Sequence, residues 1–66
     1  MTKIRLAKTG NNARQELDKA LSVLRLSNIE AQGKIVAVYA VLEVEESSAD
    51  QALAALTKAA IHAKIQ

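Results

Sequence analysis

Ile35-Val36-Ala37-Val38-Tyr39-Ala40-Val41-Leu42, followed by Glu43 and Val44, is the stretch on which the fold turns. It is an unbroken apolar run, rich in β-branched residues. It is too short to cross a bilayer and has no polar face, so it reads as a strand buried on both sides. Length alone also allows a helix, but Ile, Val and Tyr lose side-chain freedom there and suit a pleated surface. The run is therefore expected to be the central strand of a sheet.

Upstream, Gln32-Gly33-Lys34 reads as the hairpin turn into that strand, with Ile29-Glu30-Ala31 as a short partner. Gly33 is the residue there that tolerates any backbone conformation cheaply. Downstream, Glu45-Glu46-Ser47-Ser48 ends the strand, and Ser47 with Asp50 three residues on predicts a capped helix start. That helix carries Ala49, Ala52, Leu53, Leu56 and Ala60 on one face, and its alanines allow close approach to a sheet. Ile61-His62-Ala63-Lys64-Ile65-Gln66 alternates like a closing edge strand, with a frayed helix end as the alternative.

At the other end, Lys3-Ile4-Arg5-Leu6-Ala7-Lys8 alternates with the period of a half-exposed strand. Thr9-Gly10-Asn11-Asn12 breaks it, and Asn12 with Gln15 has the spacing of a capping box. A helix is predicted over residues 13–25, its apolar stripe formed by Ala13, Leu17, Ala20, Leu21 and Leu24. Arg14 with Asp18, and Glu16 with Lys19, are spaced for weak surface pairing. The order is β-α-β-β-α-β, with residues 1–66 as one domain. That is an α+β, ferredoxin-like arrangement with two helices on one face of a small antiparallel sheet.

With 66 residues and no Cys, the chain has neither disulfide nor thiolate to staple it. A domain of this size buries only about 60% of the surface its unfolded form exposes. Self-association is the expected remedy, giving a homodimer or a complex with another protein. Val36, Val38, Tyr39, Ala40 and Leu42 are the expected interface. No stretch has the order of a signal peptide and no apolar run is long enough to span a membrane, so a cytoplasmic location is the default expectation.

Charge is unevenly spread. The first 25 residues carry Lys3, Arg5, Lys8, Arg14, Lys19 and Arg25 against only Glu16 and Asp18, whereas the rest is acidic on balance. Lys3, Arg5, Lys8, Arg14 and Lys19 are therefore the candidate contacts for nucleic-acid phosphate. An overall charge of +2 is far below that of a strongly basic nucleic-acid domain and favours an ordinary solvated surface.

The chain resembles the heavy-metal-associated domains of copper chaperones and transport ATPases. The likeness rests on the first strand, then Thr9-Gly10-Asn11-Asn12-Ala13, then Leu17, Ala20 and Leu21, and on Ala52-Leu53 through Lys58-Ala59-Ala60-Ile61-His62-Ala63. Gly10 and Ala13 stand where that family has its Cys-x-x-Cys loop, and neither side chain offers a ligand atom to a soft metal. The resemblance thus implies a metal-free relative kept for protein contacts, with no cofactor. Lys3-Ile4-Arg5-Leu6-Ala7 before an amphipathic helix is also similar to ribbon-helix-helix repressors, which would turn Lys3, Arg5 and Ala7 toward DNA. That reading requires the apolar run to be helical. Leu21 through Gly33-Lys34 resembles the Alba-like fold, but a helix replaces the C-terminal hairpin expected there.

Catalysis is hard to build from this inventory. His62 is the sole histidine and has no evident Ser or Cys partner, so it is expected as an exposed edge residue. Glu43, Glu45 and Glu46 read as a solvated strand end rather than a cation site. Gly10, Asn11 and Asn12 can form an anion loop through backbone amides, although plain helix capping is the favoured reading. Tyr39, the sole aromatic, cannot by itself form the stacking platform of an RNA-binding sheet. The leading expectation is a non-enzymatic module that pairs with itself or a protein partner through its sheet. Nucleic-acid binding is the alternative.

Overall fold

A computed structural model describes residues 1–66. Its elements are β1 (Thr2–Thr9), α1 (Asn11–Leu26), β2 (Ala31–Val36), β3 (Tyr39–Val44), α2 (Ala49–Lys58) and β4 (Ala63–Ile65), with one 3-10 turn at Glu46–Ser48. The strands form one antiparallel sheet in the order β2-β3-β1-β4. Both helices pack on the same side of it. This is the expected α+β, ferredoxin-like β-α-β-β-α-β topology.

The apolar run is extended, but it is not one strand. It folds back at Ala37-Val38, so Ile35 and Val36 end the edge strand β2 while residues 39–44 form the interior strand β3. Val36 pairs with Tyr39 across a two-residue turn. Ala37 has φ 55 and Val38 has a negative φ, the sign pattern of a type II′ hairpin turn, whose first position normally takes Gly. Nothing in Ala-Val advertises such a turn. A distant contact holds it: the Gly10 N–H donates to the Val38 carbonyl at 2.7 Å.

Gly33, expected in the turn, lies inside β2 opposite Leu42. A Cβ built there would fall 2.5 Å from Cδ1 of Leu17. The residue therefore marks where α1 presses closest on the sheet, a use of glycine quite different from turn making.

The core follows the two periodicities. Ile4 and Leu6 of β1, with Ala40, Leu42 and Val44 of β3, point at the helices and are fully buried. Ala13, Leu17, Ala20 and Leu24 meet them from α1, and Ala49, Ala52 and Leu56 from α2. Every buried residue is apolar. Ala60 departs from its expected place on the helical stripe, since it lies past the end of α2 with φ 63 and is exposed.

Neither capping box forms. Gly10 and Ser48 are the N-cap residues and no side chain caps either helix. The C-termini are better finished. Ile29 N–H donates to the Leu24 carbonyl at 2.9 Å and Asn28 N–H to that of Arg25 at 3.0 Å. Ile61 repeats the first bond to Leu56 at 2.8 Å, and Ala60 the second to Thr57 at 3.0 Å. Both are Schellman motifs, with a left-handed residue followed by an isoleucine that returns to the core. Of the surface ion pairs anticipated on α1, neither is within 4 Å; the structure's one ion pair joins Lys34 Nζ to Glu43 Oε1 at 3.6 Å.

No helix is long and apolar enough to cross a membrane.

Candidate functional site

With both helices on one side, the other side of the sheet is left without a covering layer. Alternation assigns its residues. Because Ile4, Leu42 and Ala40 face the helices, their neighbours Lys3, Arg5, Tyr39, Val41 and Glu43 face outward. The register carries this outward set into β2 as Gln32, Lys34 and Val36, and into β4 as Lys64.

The expected interface residues divide accordingly. Ala40 and Leu42 are 0% exposed and belong to the core, so they offer no surface to a partner; here the structure corrects the expectation. A strand half covered by helices hides every second residue. Val36 and Tyr39 are half-buried on the open side, and Val38 is 61% exposed at the hairpin tip. Ile35, at 42%, adds a further apolar residue on the β2 edge.

The five candidate phosphate contacts also separate. Lys3 and Arg5 lie on the open face, and Lys8 is exposed near the end of β1. Arg14 and Lys19 are exposed on α1, in the layer on the far side of the sheet. In their place the fold sets Lys64 directly opposite Arg5 and Lys34 in line with it across Val41. Sequence reasoning missed those two because neither belongs to the basic N-terminal run. Alternation within β2 and β4 marks them as outward residues, but only the register sets them in line with Arg5.

Arg5 is held in place. Its guanidinium carbon sits 4.0 Å from the centroid of the Tyr39 ring, inside cation–π range. Glu43 is balanced by Lys34, whereas Glu45 and Glu46 are exposed past the end of β3. No three His, Asp or Glu side chains gather at one point. In the loop of Gly10, Asn11 and Asn12, the first amide is taken by the Val38 carbonyl. Ala13, at the second Cys position of the heavy-metal-associated pattern, is buried.

The largest hollow, about 590 Å³, is rimmed by Met1, Arg25, Glu30 and Glu45 and brings no nucleophile beside a base. His62 is exposed beside β4, near Arg5, Thr57 and Lys64 at the rim of a second hollow. The accessible chemistry is therefore of two kinds: a bare, partly apolar sheet edge, and a cationic sheet face. No family model matches the chain, and neither a curated protein nor a solved structure matches it. Of the expected likeness to heavy-metal-associated domains, the β-α-β-β-α-β topology is shown and membership of the family is not.

Proposed function

We propose that this chain is a protein-interaction module that pairs with a second copy of itself along β2. The observation that carries the reading is the state of that edge. Residues 31–36 present an outer row of backbone N–H and C=O groups to solvent. The usual protections are missing: there is no proline, no bulge and no strand paired along the outer edge, and the single charge, Lys34, is engaged with Glu43. Ile35 and Val38 leave apolar surface beside it.

An antiparallel β2–β2 pair must keep odd residues on the helix side of both copies. Centring the pair on Gln32 meets that condition and sets Lys34 opposite Glu30 of the second copy, an opposite-charge pair repeated by the two-fold axis. The two sheets would then run on as one, leaving both helix layers on the same side.

Sedimentation at micromolar concentration tests this. A dimer is expected, and Ile35→Lys is expected to give a monomer with an unchanged far-UV spectrum, since a charge on an edge strand opposes pairing. A wild-type chain that sediments as a monomer throughout would sink the reading.

A further inference from the structure

The register of the sheet contains an alignment that the sequence does not show. Lys34 of β2 pairs with Val41 of β3, Val41 with Arg5 of β1, and Arg5 with Lys64 of β4. These four residues form one row at right angles to the strands, on the face without helices. Three of them are cations. With neighbouring strands about 4.8 Å apart, the row spans about 14 Å. Lys3, two residues before Arg5 on the same face, adds a fourth positive charge, and the one carboxylate among them, Glu43, is paired with Lys34.

Val41 shows how these side chains lie. It faces away from the helices and stands outside the main core, yet it is only 2% exposed. Its neighbours in the row are Lys34 and Arg5, and Tyr39 lies two residues along the same strand. Covering Val41 requires the hydrocarbon stems of those long side chains to lie across it, with their charged ends reaching water. The guanidinium resting on Tyr39 is one such end. The face is thus an apolar floor under a positive row, with the Arg5 guanidinium already resting on Tyr39 and Lys34 on Glu43.

We propose that this row binds the backbone of a single-stranded nucleic acid, with a base stacked on the Arg5–Tyr39 pair. Charge complementarity selects a polyanion. A second copy of the chain is a poor occupant, because two such faces would set cation against cation. An acidic polypeptide would meet the same charges but brings no flat ring to lie against the Arg5–Tyr39 pair, which is why polyglutamate serves as the control. A flat sheet also suits unpaired bases, which can lie against aromatic rings and guanidinium planes. This proposal does not depend on pairing along β2, and that pairing would leave the face open.

The test is fluorescence anisotropy with labelled oligothymidylate and oligouridylate at low and raised salt. Neutralising about three phosphates predicts log affinity falling with log salt at a slope near −2, and removing one contact is expected to lower that slope by about 0.7. Arg5→Gln is expected to weaken binding roughly tenfold through loss of charge and stacking. Lys64→Gln should lower the salt slope without disturbing Val41, so it serves if Arg5→Gln loosens the fold. Arg14→Gln and Lys19→Gln, on the far side of the sheet, should bind as the wild type does. Ile35→Lys should bind too, which separates this site from the β2 interface. Four results would overturn the proposal: no binding at low salt, equal losses from the helix variants, tighter binding of duplex DNA, or polyglutamate binding as well as the oligonucleotides.

Discussion

Left-handed backbone is where single residues of this chain work against their own chemistry. Asn28, Ala37 and Ala60 have φ of 59, 55 and 63. Asn tolerates that region because its short polar side chain bonds locally, but Ala has no such compensation, and the conformation costs an L-residue about 1–2 kcal/mol. Ala60→Gly and Ala37→Gly are each expected to raise stability by roughly 1 kcal/mol in urea melts, because Gly adopts positive φ freely. Asn28→Gly should change little, and a gain there equal to that at Ala60 would count against this account. Gly33 is the opposite case. Gly33→Ala drives a methyl group into Leu17 and is expected to cost about 1 kcal/mol net of the entropy it saves in the unfolded chain. The contact is at the end of a side chain, so the cost should largely vanish in a Leu17→Ala background.

At the level of elements, both βα units end in the same way. Leu24 to Ile29 and Leu56 to Ile61 are six-residue Schellman closures in which a buried leucine receives the N–H of a buried isoleucine. Each closure turns the chain off its helix and aims it at the next edge strand. Leu56 is 0% exposed, and Leu56→Ala is expected to cost about 2–5 kcal/mol. Against the roughly 3–5 kcal/mol that a core of this size supplies, that is enough to unfold much of the population, which thermal melts would show. If Leu56→Ala melts like the wild type, the packing of α2 on the sheet is not what holds the fold. The hairpin between β2 and β3 is an element of another kind, shaped by its neighbours. Its tip is bonded to Gly10, and its first strand is pressed by Leu17.

The whole molecule has two unequal faces. One is sealed by fourteen packed apolar residues. The other has no second layer and protects Val41 with the stems of its own charged residues. Arg5→Ala removes part of that cover as well as a charge, so it is expected to be less stable than Arg5→Met, which keeps the stem. Chemical denaturation of the two variants at high salt, where charge is screened, checks this; equal stabilities would mean that the stem covers nothing. The bare edge and the cationic face belong to this same asymmetry. Helices gathered on one side leave the other side, and one long edge strand, available for binding.

Local pattern alone determined much of this protein. The alternation of Ile4 and Leu6, the stripe from Ala13 to Leu24 and the β-branched run after Lys34 are short-range signals, and they sufficed for the element order and most of the core. They also marked Lys3 and Arg5 as outward residues. What only the tertiary structure decided was where the run breaks, what Gly33 is for, and which cations stand together. Each of these depends on contacts between residues far apart in the chain. A turn at Ala37-Val38 is held by Gly10, a strand glycine is demanded by Leu17, and Lys34, Arg5 and Lys64 share a row only once three strand registers are set. A register slip of two residues would keep every side chain on its face yet take Lys34 or Lys64 out of line with Arg5, and no local propensity in this sequence fixes that choice.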